Sequence, residues 1–216
     1  MTTGPLARER RESRPSGVNG PVKRVLDIAS ALTAMAAAVP VLAVLALAIM
    51  VTSGGPVLFR QQRVGRDGRP FTMLKLRTMV DGAELMVADL LARYDTDERF
   101  YKFRDDPRIT PLGGWLRRWS ADELPQLWNV LRGEMSMVGP RPALASEVRA
   151  YQPWHRARLA VRPGITGAWQ VSGRCEVGFD DCVRLDLAYI NDWSLLSDLK
   201  ILARTGPALI RRQGAC

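Results

Sequence analysis

The chain has 216 residues, enough for one domain with a core of its own and too few for two compact ones; 31 lysines and arginines against 22 acids leave a net charge of +9. That balance points to phosphate-bearing partners, whether nucleic acid, anionic lipid or nucleotide, and does not choose among them. Three cysteines without metal-ligand spacing and a lone histidine exclude a disulfide framework, a zinc site and a Ser-His-Asp triad, so any chemistry must run on carboxylates, lysine and arginine. His155, in the polar run "PWHRARL", is expected to be solvated or hydrogen-bonded at the surface.

Residues 1–20 are rich in glycine, proline and arginine and read as a disordered basic tail. From Ile28 to Val51 the chain carries no charge and only Ser30 and Thr33 as polar residues, which is long enough for a membrane helix. Pro40 interrupts it and favours a kink. Basic residues flank it on both sides: Arg8, Arg10, Arg11, Arg14, Lys23 and Arg24 before, Arg60, Arg63, Arg66 and Arg69 after. Positive flanks stay cytoplasmic, so a kinked helix entering and leaving through one face satisfies both, whereas a straight span must translocate an arginine-rich tail. The expected division is a tail at 1–20, a re-entrant membrane helix at 21–52 and a cytoplasmic catalytic domain at 53–216.

Beyond the helix, "GPVLFRQQRVG" and "FTMLKLRTM" are strand-like and flank "RDGR", an Asp-Gly turn suited to a β-hairpin. Alternation puts Phe71, Met73, Lys75 and Arg77 on one face. A helix is expected over 81–94, opened by Asp81 as cap with Glu84 three residues on. Residues 95–110, "DTDERFYKFRDDPRIT", read as a mobile loop. Helical patterns follow at 112–119, 121–132, 143–160, 179–193 and 195–212. The fold class is therefore α+β and mostly helical, a small catalytic domain with a short β-hairpin beside a membrane-inserted re-entrant helix.

Within "WSADELPQL", two acids, Asp122 and Glu123, follow Arg117 and Arg118. One reading is structural: Ser120 with Glu123 has the form of a capping box, and acids at a helix N-terminus favour the dipole. The other is chemical. On a helix the two carboxylates diverge by about 100° and do not share a proton, so one attacks phosphorus while the other holds a divalent metal. Lys75, Arg117 and Arg141 then supply charge stabilisation for phosphoryl transfer, Arg141 pre-organised by the prolines of "GPRP". "RPGITG", residues 162–167, is a second tight loop suited to close backbone approach. Trp115 and Trp119, one helical turn apart, belong either to the membrane interface or to the core.

Four segments, "KRVLDIASALTAMAAAVP", "GPVLFRQQRVGRDGRPFTMLKLRTM", "DPRITPLGGWLRRWSADELPQLWNVLRGEMSMVGPRP" and "RPGITGAWQVSGR", together resemble the bacterial sugar transferase family from about Lys23 to Arg211. Its members are monotopic polyprenyl-phosphate phosphoglycosyl transferases. The resemblance implies transfer of a sugar-1-phosphate from a UDP-sugar to undecaprenyl phosphate with release of UMP, as a first membrane step of exopolysaccharide or O-antigen assembly at the cytoplasmic face of the bacterial inner membrane. It implies Asp122 as the nucleophile forming a phosphosugar-aspartyl intermediate and Glu123 as its partner at Mg2+. Lys75, Arg77, Arg117 and Arg141 match basic, phosphate-binding positions, and Arg162, Gln170 and Arg174 are candidates for the nucleotide. The implied partners are the UDP-sugar, undecaprenyl phosphate and the membrane, with no nucleic acid; a homodimer is left open. The sequence departs from the family pattern in having Val39 before Pro40 where Ser-Pro is common, "SADE" for "SLDE" and "GAWQVSGR" for "GWAQVNGR". The alternative from another class is a non-enzymatic, membrane-anchored basic module binding anionic lipid or nucleic acid.

Overall fold

The computed structural model of the chain describes residues 17–53, 55–86, 90, 106–172 and 178–210. Residues 1–16 of the expected tail, residues 95–105 of the expected loop, and Arg174 lie outside them. Residues 17–20 are already part of the domain. They form a turn in which Val18 is buried against Tyr189 and Ile190, and Asn19 Nδ2 donates to the Ala160 carbonyl.

Helix α1, Pro21–Ser53, is a single 33-residue helix, about 50 Å long at 1.5 Å per residue; the interruption expected at Pro40 is corrected, since the helix continues through it. It is long and apolar enough to cross a membrane by length and composition. Its buried residues are Lys23, Asp27, Ala31, Ala38, Leu45 and Ile49, four or seven positions apart, so one stripe faces the protein along nearly the whole helix. The remaining faces expose Val25, Leu32, Val39, Val44, Leu47 and Val51.

The chain returns as β1 (Leu58–Val64) and β2 (Pro70–Leu76), an antiparallel pair. Their turn holds Asp67 at φ 57° and Gly68 at φ 77°, and Arg69 N donates to Arg66 O. Two central residues at positive φ make the turn that matches strand twist, for which Asp-Gly is suited. Helix α2 (Pro111–Arg118) opens with Thr110 Oγ1 accepting from Gly113 N at 2.9 Å and Pro111 in its first turn. A 3-10 turn (Ala121–Glu123) leads into α3 (Gln126–Arg132), then β3 (Ser136–Val138). Helix α4 (Ala145–Arg149) and a 3-10 segment (Pro153–Ala160) precede β4 (Gly164–Thr166), which pairs in parallel with β3. Helices α5 (Phe179–Asn191) and α6 (Leu195–Ile210) close the described chain.

Three apolar clusters join these elements, and α1 enters two of them. Ala31 and Ala38 pack with Phe71 and Met73 of β2 and Leu127 and Val130 of α3, while Leu45 and Ile49 pack with Leu76 and Leu116. The N-terminal turns of α1 are fixed by polar contacts instead. Lys23 Nζ lies 2.6 Å from Asp198 Oδ2, and Asp27 Oδ1 accepts from Ser136 Oγ (2.9 Å) and Met137 N (3.0 Å). Arg24 donates to the Val130 and Leu131 carbonyls at the C-terminal end of α3, where a cation also suits the helix dipole. Lys23, Arg24 and the buried Arg63, counted above as flanking membrane charges, are therefore engaged inside the protein.

Four further sequence expectations are corrected. The 81–94 helix does not open at Asp81: residues 81–86 are turns with Gly82 at φ 71°, outside the helical region. The helix over 121–132 is divided into a 3-10 turn (Ala121–Glu123) and α3, with Pro125, which has no N–H to donate, between them. The helix over 143–160 becomes α4 and a separate 3-10 segment, with Pro153 at the first position of the latter. His155 is buried rather than at the surface: Nδ1 accepts from Gln152 N, and Nε2, left to carry the proton, faces Asp180 Oδ1 at 3.1 Å among the rings of Tyr151, Trp154 and Phe179.

Candidate active site

The acid pair is built by three elements. Asn129 of α3 binds the free edge of β2, its Oδ1 accepting from Leu74 N (3.1 Å) and its Nδ2 donating to Thr72 O (2.8 Å), so a side-chain amide completes the strand's pairing. This locks α3, and the 3-10 turn before it, against the strand that carries Lys75. Helix α2 is tied to the end of the same strand: Thr110 N donates to Thr78 O, and Arg117 Nε donates to Thr78 Oγ1 at 2.9 Å.

Lys75 Nζ stands 2.7 Å from Glu123 Oε1 and 3.7 Å from Asp122 Oδ2. Asp122 is 5% exposed, whereas the Glu123 side chain is 32% exposed. Burial pushes the Asp122 carboxyl above the ordinary aspartate range, Lys75 and Arg117 pull it down, and Glu123 adds to the rise. Burial also lowers the Arg117 guanidinium, opposed by Asp122 and Asp106. The result is one sheltered carboxylate and one accessible carboxylate sharing an ammonium, with a second cation alongside.

The capping box expected at Ser120 is absent. Ser120 makes no side-chain cap bond, its left-handed backbone is not that of an N-cap, and the Glu123 carboxylate turns to Lys75. From the tight turn both acids reach the same ammonium, Glu123 at 2.7 Å and Asp122 at 3.7 Å.

Of the other candidates, Arg77 does not join Lys75. The β1–β2 pairing ends at Leu76, and Arg77 pairs with Asp81 while its guanidinium packs so closely on Gly55 that a Cβ there would collide with it. Arg141 is 40% exposed in its side chain, lies 3.8 Å from Glu147 Oε1 and lines a small cleft with Gly65, Arg158 and Pro163. The buried Arg63 nearby feels the charges of Arg141, Glu147 and Glu123. Arg162 Nε donates to Gly133 O, so it sits at the end of α3 away from the pair. Gln170 Nε2 donates to Ile165 O in the loop after β4. Trp115 and Trp119 are each 49% exposed, and with Trp128 at 50% they are not core residues.

Sequence reasoning missed Arg63. The signal was present, since hairpin register sets Arg63 opposite Phe71 and Phe59 opposite Lys75, on one face. As for a metal, Mg2+ needs only one or two protein carboxylates when substrate phosphates complete its shell. Asp122 and Glu123 fit that small set of oxygen donors, and among the described residues no cluster of three metal-ligating side chains exists.

Fold and site together define a class: a small α+β domain built along one long apolar helix, with an acid pair ringed by lysine and arginine. The chain belongs to the bacterial sugar transferase family, whose model matches residues 18–212. It is 44% identical over 206 residues to a UDP-glucose:undecaprenyl-phosphate glucose-1-phosphate transferase of Caulobacter vibrioides, covering 89% of this chain and 71% of that one. It is 42% identical over 199 residues to a UDP-galactose-lipid carrier transferase of Erwinia amylovora, 90% of this chain and 41% of the relative. With the exopolysaccharide production protein ExoY of Sinorhizobium fredii it shares 38% over 206 residues, 94% and 90% of the two chains. The chain thus spans less than half of the Erwinia relative and most of ExoY.

Proposed function

We propose that the protein transfers a sugar-1-phosphate from a UDP-hexose to undecaprenyl phosphate through a phosphosugar-aspartyl intermediate on Asp122, as the first membrane step of polysaccharide or glycoconjugate assembly. The observation that carries this reading is the buried Asp122 carboxylate beside Lys75 and Arg117, with Glu123 accessible next to it. The names of the relatives supply the substrate class.

In the first half-reaction an Asp122 oxygen attacks the phosphorus that bears the sugar, and the bond from that phosphorus to the UMP oxygen breaks. UMP leaves with the electron pair. In the second, an oxygen of the lipid phosphate attacks the same phosphorus and Asp122 departs as a carboxylate. Lys75 and Arg117 stabilise the charge that moves onto the phosphoryl oxygens, which is the main catalytic demand of such a transfer. Glu123 is the residue that would hold Mg2+, and the ion, when bound, would supply neutralisation of the diphosphate charge. Burial of Asp122 keeps water from the acyl-phosphate and leaves the lipid phosphate as acceptor. A UMP-release screen over UDP-sugars with undecaprenyl phosphate, run with Mg2+ and with chelator, is expected to give turnover with one or two UDP-hexoses, lost on chelation. Silence across the panel from folded protein sinks the reading.

We further assign α1 to the bacterial cytoplasmic membrane as a re-entrant helix, with the catalytic domain on the cytoplasmic face. In support, both ends of α1 touch the same domain: Lys23 and Asp27 reach Asp198, Ser136 and Met137, and Ile49 reaches Leu76 and Leu116. In a variant with Cys175, Cys182 and Cys216 replaced by serine, single cysteines at Ser13 and Arg69 are expected to react with an impermeant thiol reagent only from the cytoplasmic side. Labelling from opposite sides overturns it. The alternative of a non-enzymatic basic module is not favoured, since it gives no reason to bury Asp122 under Lys75.

A further inference from the structure

Arg63 is a buried cation that the transfer described above leaves unused, and it lies on the hairpin face that carries the acid pair's lysine, Lys75. It is 8% exposed. A guanidinium withdrawn from water costs free energy unless its donors are met. Here Nε and Nη2 both donate to Gln61 Oε1, at 3.0 and 2.6 Å, and Nη1 donates to the Pro142 carbonyl at 3.0 Å. The fork is therefore spent on an amide and a backbone carbonyl, not on a carboxylate. Burial brings its pKa down to about 10, Arg141 adding to the fall and Glu147 and Glu123 opposing it.

Pro142 directly follows Arg141. The next residue is held too, with Val64 N donating to Ala143 O at 2.9 Å. On the other flank Gly139 N donates to Thr166 O and Gly164 N to Pro140 O, at 2.9 and 2.8 Å. The segment 139–143 is thus held from β4 on one side and from β1 on the other, while the Arg141 side chain has, among the described residues, a 3.8 Å contact with Glu147. Its place is set by its backbone.

We infer that Arg63 is a positioning residue: through the Pro142 carbonyl it fixes the backbone from which the Arg141 guanidinium meets the phosphates of the nucleotide donor. This rests on the proposed function together with the phosphate-binding role that the family resemblance implies for Arg141. Lysine does not substitute, because one nitrogen on a flexible stem does not span both Gln61 and Pro142. Uniform binding of substrate, not the chemical step, is what such a residue controls, so its loss reads in KM.

The test is a double-mutant cycle on UMP release. Arg63→Lys is expected to keep the parent's thermal melt within a few degrees, to raise KM for the UDP-sugar about 10-fold and to change kcat less than about 3-fold. Gln61→Met, which removes only the acceptor of the fork, moves KM in the same direction. In an Arg141→Ala background Arg63→Lys adds less than about 2-fold, because the two act as a unit. Equal losses in both backgrounds, a fall in kcat alone, or a Gln61→Met enzyme with the parent's KM overturns the inference, the last even if Arg63→Lys fails to fold. So does an Arg141→Ala enzyme with unchanged KM, which leaves nothing to position. Failure of the proposed function looks different: the parent itself releases no UMP.

Discussion

Asp122→Asn is expected to cut UMP release by about 10^4-fold or more while raising the melting temperature. The first half follows from its assigned role as nucleophile, since an amide does not form the acyl-phosphate and losses of this size accompany removal of a covalent nucleophile. The second follows from burial. Desolvation holds the folded-state pKa of Asp122 above its unfolded value despite Lys75 and Arg117. A carboxyl shifted upward favours the fold in its protonated form, and that contribution is full below the unfolded pKa and lost as pH rises through the folded one. At neutral pH the ionised Asp122 therefore weakens the fold, and asparagine, uncharged and nearly the same shape, removes the penalty. The same shift makes UMP release by the parent fall on acidification earlier than an ordinary aspartate dictates. Turnover at parental rate by Asp122→Asn, or a melting temperature that falls, contradicts the assignment.

Arg158→Met is the largest expected loss of stability, about 3–5 kcal/mol, the cost of stranding one member of a buried ion pair. Asp186 is fully buried, and its Oδ2 lies 2.5 Å from Arg158 Nη2; Arg158 Nη1 also donates to the Tyr151 hydroxyl at 3.1 Å. Burial already pushes Asp186 up to about 6 with the arginine in place, and Arg158 is its stabilising partner. Without it the carboxyl rises further. Its preference for the protonated state then supports the fold at low pH and is lost as pH climbs through the new, higher value. Urea unfolding in detergent should show the Arg158→Met deficit shrinking between pH 8 and pH 5. Adding Asp186→Leu should recover much of it, because a packed apolar pair is often no worse than a buried ionic one. A deficit that is the same at both pH values, or below about 1 kcal/mol, contradicts the account.

The hairpin was legible because Asp67-Gly68 between two apolar-alternating runs leaves few other folds, and α1 was legible from bare composition. What escaped was set by backbone torsion and by long-range partners. Ser120 adopts a left-handed conformation that no spacing rule announces, and this converts a would-be capped helix into the turn that brings both acids to Lys75. Pro125 and Pro153 were visible in the sequence, yet apolar periodicity ran across both and hid the breaks. The long-range carbonyl partners of Arg162 and Arg63 could not be read from local pattern. An arginine reads as a surface charge until the carbonyl it serves, Gly133 or Pro142, is known to lie beside it.

The protein-facing stripe of α1 also bears on how this enzyme can be taken apart. Ala31, Ala38, Leu45 and Ile49 form a wall of the interior, and Lys23, Arg24 and Asp27 close its corner. Such a helix is not a detachable tether. Cutting after Ser53 to obtain a detergent-free fragment would leave Phe71, Met73, Val130 and Leu116 facing solvent, whereas recoding the outward residues alone, Val25, Leu32, Val39, Val44 and Leu47, leaves every internal contact in place. Solubilisation by surface redesign is therefore compatible with this architecture, and solubilisation by truncation is not.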